Sequence, residues 1–181
     1  NSKKKLDLRI IGMGGSILGS QAIYDFLKFK IKKKVFFVDN LKKNLERSKN
    51  KNINIIVSKT GNTLETISNS NILSQRNGNN VFITEKKNSY LRKFAEKLKA
   101  EIVDHNNFLG GRYSVLSEVG MLPAELMGLN YKKFRQLNYL VNNKFFMKSL
   151  VVNVESTILF LKTKKFNSIV INYDEQSTNL F

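Results

Sequence analysis

The sequence contains no cysteine. That excludes a disulfide framework and a thiolate metal site, and it suits a reducing compartment. No apolar run is long enough to span a bilayer, so a membrane is not an expected partner. The lysines near the start, residues 3–5, are followed by Asp7 and Arg9, so the start does not read as a signal peptide. The chain opens on Asn1 rather than Met, which leads us to expect a processed or excised piece. Proline occurs once, at Pro123, early in a helical stretch. Histidine also occurs once, and His105, in a polar loop beside Asn106 and Asn107, reads as a surface residue.

Lysine is abundant. The 181 residues carry a formal net charge of +17, a value that on its own suggests a nucleic-acid partner. The lysines are scattered, however, at 3–5, 32–34, 42–43, 86–87, 132–133 and 164–165. They share A/T-rich codons with the equally abundant Asn, Ile and Phe. No basic stretch interleaved with aromatics of the single-strand-binding kind is present. Codon bias accounts for the excess, and no nucleic-acid partner is expected.

A chain of 181 residues suits one globular domain with a sizeable core. Short, nearly all-apolar runs read as strands: Leu8–Met13, Val35–Val38, Ile53–Val57, Val81–Thr84 and Glu101–Val103. Helical patterns lie between them at Ile17–Phe29, Leu41–Ser48, Leu64–Arg76 and Ser89–Leu98. Such alternation without hairpin turns predicts an α/β fold with a parallel sheet covered on both faces. After a loop at 104–114, helices are predicted at about 115–128, 131–147 and 149–163, and a last strand over Ser168–Tyr173. The segment 77–80, Asn-Gly-Asn-Asn, reads as a turn.

In an open parallel sheet, ligands bind at the carboxyl ends of the strands. Two polar loops fall at such ends, Gly-Met-Gly-Gly-Ser at 12–16 and Ser-Lys-Thr-Gly-Asn-Thr at 58–63. Each leads into a helix, whose unpaired amides and partial positive charge favour an anion. Gly14 and Gly15 let backbone approach closely, and Ser16, Ser58, Thr60 and Thr63 supply hydroxyls. A ligand-free reading stands beside this one. Gly12, Gly14 and Gly15 form a tight turn, Asn62 and Glu65 form a capping box, and Lys59 is a solvated side chain. The first loop lacks the third glycine of the dinucleotide fingerprint, with Asp39 the nearest acidic candidate for a ribose. No Gly-Lys-Ser/Thr element marks a nucleoside-triphosphate loop. In a third segment, Gly110-Gly111-Arg112, paired glycines can present a guanidinium to a developing oxyanion, or Arg112 can serve a salt bridge.

Together the segments IGMGGSILGS, SKTGNTLET and LGGRYSVLSEVGMLPAELMG resemble, in order, three signature segments of the phosphoglucose isomerase family. The resemblance runs over residues 8–173. It implies a three-layer αβα domain of the sugar isomerase (SIS) type, with a mainly five-stranded parallel sheet in flavodoxin-like order, followed by extra helices. It also implies interconversion of glucose 6-phosphate and fructose 6-phosphate through a cis-enediol(ate) in glycolysis and gluconeogenesis. The family needs no metal or cofactor, works in the cytoplasm, and forms a homodimer when complete. Gly14, Gly15, Ser16, Ser58, Lys59 (through its backbone), Thr60 and Thr63 are implied to bind the sugar phosphate. Arg112 is implied to stabilise the enediolate. The family's base, a glutamate in a Glu-Ser-x-Gly-Lys type segment, and its ring-opening histidine and lysine have no counterpart here. Neither does a usual N-terminal segment. We therefore expect residues 1–165 to be a first SIS domain with trailing helices, and 166–181 to begin a second one. The alternative is a non-catalytic module that only binds a phosphosugar.

Overall fold

The computed structural model describes residues 6–41, 52–74, 78–163 and 171–180. Five strands form one parallel sheet in the order β2-β1-β3-β4-β5: β1 Asp7–Ile11, β2 Val35–Val38, β3 Asn52–Val57, β4 Asn79–Glu85 and β5 Glu101–His105. This is the flavodoxin-like order that the family resemblance implies. The helices are α1 Leu18–Leu27, α2 Leu64–Leu73, α3 Tyr90–Leu98, α4 Glu118–Leu126, α5 Asn138–Val141 and α6 Lys144–Lys162.

Alternation along the strands divides the core between the two faces of the sheet. Leu8, Ile10, Ile55, Val57 and Ile83 pack with Ile17, Ile23, Val119 and Ala124, which come from the segments of α1 and α4. Ile11, Ile56 and Phe82 face the other way, toward Leu73 of α2 and Leu91 and Ala95 of α3. On that second face three polar residues stand in register across the strands. Arg9 donates to Asn54 Oδ1 at 3.4 Å, and Asn54 Nδ2 donates to Asn80 Oδ1 at 2.8 Å. Burial lowers the pKa of the Arg9 guanidinium.

Pro123 shows how α1 and α4 are joined. It has no N–H to give to the carbonyl four residues back, that of Val119. Ser20 of α1 supplies the missing donor, its Oγ lying 3.3 Å from Val119 O. Gly19 permits the approach, because a Cβ there would stand 2.8 Å from Val115 Cγ2.

The later helices differ from the sequence reading. Ser117 accepts from Val119 N–H at 3.3 Å, so α4 starts at Glu118 rather than at 115. The helix expected over 131–147 is a 3-10 turn at Tyr131–Arg135, then α5, then a break. Asn143 causes the break, since its side chain accepts from Phe146 N–H at 3.0 Å and starts α6 afresh. Most of the helix expected at Leu41–Ser48 lies outside the described residues, as do the end of that expected at Leu64–Arg76, Asn77 of the 77–80 turn, and residues 168–170 of the last strand. Residues 171–173 form no strand, and the 3-10 turn Glu175–Leu180 packs on α1, with Asn179 Nδ2 donating to Asp25 Oδ2.

Candidate functional site

The sheet order reverses at β1 and β3, so the loops after these strands open side by side at the switch point. Gly12 joins their roots, as a Cβ there would lie 3.1 Å from Val57 O and 3.3 Å from Ser16 Cβ. The first loop turns at Gly14, in the left-handed region with φ of 52°, and continues as the 3-10 turn Gly14–Ser16 into α1. In the second loop Ser58 and Thr63 share a hydrogen bond of 3.0 Å, and Ser58 Oγ also accepts from Gly61 N–H at 3.2 Å. Gly61, with φ of 67°, passes so close to Ser89 that a Cβ would meet Ser89 Oγ at 2.2 Å. Thr60 stands exposed at the loop tip. Thr63 is the N-cap of α2 and makes no side-chain cap bond there.

The third segment reaches the first by backbone contact. A Cβ on Gly15 would fall 2.3 Å from the Gly111 carbonyl carbon and 2.7 Å from Arg112 N. Ser114 Oγ reinforces the contact, donating to Gly111 O at 2.7 Å with Gly15 O at 3.4 Å. Arg112 lies in the 3-10 turn Gly111–Tyr113, exposed and without a hydrogen-bond or ion-pair partner among the described residues. The salt bridge that the ligand-free reading offered it is absent there.

Three readings of single residues need correction. His105 is not a surface residue. It ends β5 at 4% exposure, and its Nδ1 hydrogen-bonds Glu118 Oε1. The Asn62–Glu65 capping box does not form, because Asn62 Oδ1 instead accepts from Tyr90 N–H at 3.0 Å, at the start of α3. The Lys59 side chain is not simply solvated. Its Nζ donates to Asn107 O at 2.9 Å and pairs with Glu85 Oε1 at 3.5 Å. Lys59 thus ties the second loop to the base of the third. Glu85, at the end of β4, also pairs with Lys87. The hydrogen bond from Lys87 and the nearby Lys charges hold its carboxyl below the usual carboxylate range, against the opposing effect of burial.

The sequence reading missed the His105–Glu118 pair. Its trace was the lone histidine at the end of the last strand, thirteen positions before an acidic residue opening a helix. Among the described residues no group of three or more His, Asp or Glu gathers as a metal site, and no helix is long and apolar enough to cross a membrane. Hydroxyls and helix starts at one sheet end, with the backbone of an exposed arginine against the first loop, suit a small oxyanion rather than a nucleotide base or an apolar ligand.

Fold and site define an α/β domain with polar loops gathered at the carboxyl ends of its strands. The chain belongs to the phosphoglucose isomerase family, whose model matches residues 2–176. Glucose-6-phosphate isomerase of Methanocaldococcus jannaschii is 33% identical over 184 residues, covering 92% of this chain and 45% of that protein. The enzyme of the same name from Mycoplasmoides gallisepticum is 32% identical, covering 96% and 46%. The chain therefore spans about half the length of the curated relatives it matches. Among solved structures, a hypothetical protein of Thermus thermophilus superposes with a TM-score of 0.69 at 24% identity, covering 83% of this chain and 42% of that one. Tagatose-6-phosphate ketose/aldose isomerase of Escherichia coli does so at 0.58 and 17%, covering 77% and 42%. The fold is the SIS type.

Proposed function

We propose that this chain carries the phosphate-binding loops and the enediolate-stabilising arginine of an enzyme interconverting glucose 6-phosphate and fructose 6-phosphate. One observation carries the reading. The Gly110–Arg112 segment rests backbone to backbone on the first loop, so the exposed Arg112, without a hydrogen-bond or ion-pair partner among the described residues, springs from beside a helix start furnished with hydroxyls. The phosphate would take backbone amides at Gly14, Gly15 and Lys59 and hydroxyls of Ser16, Ser58, Thr60 and Thr63. Arg112 would face the sugar's carbonyl end, where negative charge grows as a proton leaves carbon. The base belongs, by family resemblance, to a Glu-Ser-x-Gly-Lys type segment that these residues do not include, and the reading places the enzyme in the cytoplasm. The complete enzyme would be a homodimer by family resemblance, and the exposed apolar side chains along α6, among them Phe145, Leu150, Val154 and Leu159, leave a face to be covered in it.

Two measurements test the reading. Fructose 6-phosphate titrated against the chain and against Thr60→Ala should show a loss of about 1–3 kcal/mol in the variant. Equal affinities would remove the site. A coupled isomerase assay on the 181-residue chain should show no turnover near the usual enzyme range of about 1–10³ per second. Such turnover would place the base within these residues.

A further inference from the structure

We infer that His105 and Glu118 form a clasp that closes the Arg112 loop and sets where the guanidinium stands. The inference rests on the phosphosugar reading above, and both are positioning residues that act through Arg112. His105 is the last residue of β5 and Glu118 the first of α4, so their hydrogen bond joins the two ends of the segment 106–117. Asn106 N–H donates to the same carboxylate oxygen at 3.3 Å. The loop is thus shut at its base by two donors on one acceptor.

Packing alone does not account for the pair. The histidine is buried at 4% exposure and the Glu118 side chain is only 24% exposed. A buried ionisable pair costs desolvation that an apolar pair of similar volume would avoid. What the polar pair adds is direction, since a hydrogen bond fixes angle as well as distance. From the clasp a chain of bonds runs to the arginine. Ser117 Oγ donates to Ser114 O at 2.6 Å, and Ser114 Oγ donates to Gly111 O at 2.7 Å, one residue before Arg112. Outside the loop, Lys59 holds Asn107 O from the phosphate side. Arg112 itself has no hydrogen-bond or ion-pair partner among the described residues, so the loop backbone sets where its side chain starts.

The test separates phosphate binding from recognition by Arg112. Inorganic phosphate needs only the first two loops. A phosphorylated five-carbon aldonate carries in addition a carboxylate where an enediolate would lie, and so needs Arg112. With the 181-residue chain, Glu118→Ala should weaken the aldonate about tenfold or more while leaving phosphate unchanged. Glu118→Gln, which keeps an acceptor oxygen, should recover most of the loss. His105→Ala and Glu118→Ala together should lose no more than Glu118→Ala alone, which already breaks both bonds to the carboxylate. Thermal melts accompany every variant. If Glu118→Ala does not fold, His105→Asn, which keeps a donor near the place of Nδ1, set against His105→Leu, makes the same comparison. Aldonate binding unchanged in Glu118→Ala but lost in Arg112→Ala overturns the clasp and leaves the functional reading intact. Failure of the wild-type chain to bind either probe overturns both.

Discussion

Gly15→Ala and Gly14→Ala add the same methyl group one residue apart, and the structure gives them different consequences for Arg112. At Gly14 nothing lies within 4 Å of the new Cβ. The cost there is conformational, because φ of 52° is in the left-handed region, and amounts to about 1–2 kcal/mol. At Gly15 the Cβ would fall 2.3 Å from the Gly111 carbonyl carbon and 2.6 Å from its oxygen. Carbon atoms in contact sit about 3.5–4.0 Å apart, so the two backbones must separate by roughly 1 Å or more. Forcing in a methyl group costs about 1–3 kcal/mol. The two variants should therefore melt at similar temperatures. Their function should differ. Arg112 N lies on the displaced stretch of backbone, 2.7 Å from the same Cβ position. A misplacement of about 1 Å in a positioned group can cost about 10²-fold. Titration calorimetry with inorganic phosphate and with the phosphorylated aldonate reads the two effects apart. Gly15→Ala should lose the aldonate about 10²-fold beyond any loss of phosphate, whereas Gly14→Ala should show no such excess. An equal excess in both variants, or in neither, would refute the claim that this contact aims the arginine.

Two further predictions concern stability. Ser20→Ala takes away the donor that replaces the missing N–H of Pro123 and leaves the buried Val119 carbonyl without it. Urea denaturation should show a loss of about 1–3 kcal/mol, and Pro123→Ala in the same background should restore part of it. Glu85 has a folded pKa below its ordinary 4.5, with the Lys87 hydrogen bond the largest cause. A lowered carboxylate pKa stabilises the fold above the unfolded value and loses that contribution as pH falls through the folded one. Wild type should therefore be more stable than Glu85→Gln at pH 7, and the gap should close as the pH drops below 4.5; a gap that persists or widens in acid would contradict the assignment.

The strands were legible because they are buried on both faces, and such strands read as short, nearly all-apolar runs such as Ile53–Val57, where Asn54 is the one polar residue. Parallel pairing and the loop positions followed from alternation, and the strand order from the family resemblance. Local sequence was a poorer guide where a side chain had a choice of partners. Asn62 stands before α2 at cap spacing, yet its carbonyl oxygen reaches the amide of Tyr90, 28 residues away. Lys59 looked solvated because its partners, Glu85 and the carbonyl of Asn107, come from other strand ends. His105 sits among polar neighbours in sequence, but the end of β5 carries it inside against α4. In each case a contact between distant segments decided the outcome, and periodicity does not encode such contacts. The breaks at Ser117 and Asn143 could have been read, because both are good N-cap residues.

These distant contacts share one feature. Each ties a loop of the site, or its base, to a segment brought from elsewhere in the chain. Gly15 meets Gly111, Ser114 lies against Gly15 O, Lys59 reaches Asn107 O, and Asn62 anchors α3. A flexible set of loops would spend much of its binding energy on ordering itself around a ligand. Loops already tied to each other have that cost met during folding. The remaining polar groups, the tip hydroxyl of Thr60 and the guanidinium of Arg112, are then left exposed for a ligand. The surplus positive charge of the chain adds a long-range attraction for anions, but salt screens it within about 10 Å at 0.1 M. On the proposed reading, recognition at close range therefore falls to the tied loops. It follows that cutting a tie that does not itself touch the anion, such as the side-chain bond of Lys59 to Asn107 by Lys59→Met, should weaken fructose 6-phosphate in the same titration as Thr60→Ala, and unchanged affinity would refute the role given to the tie.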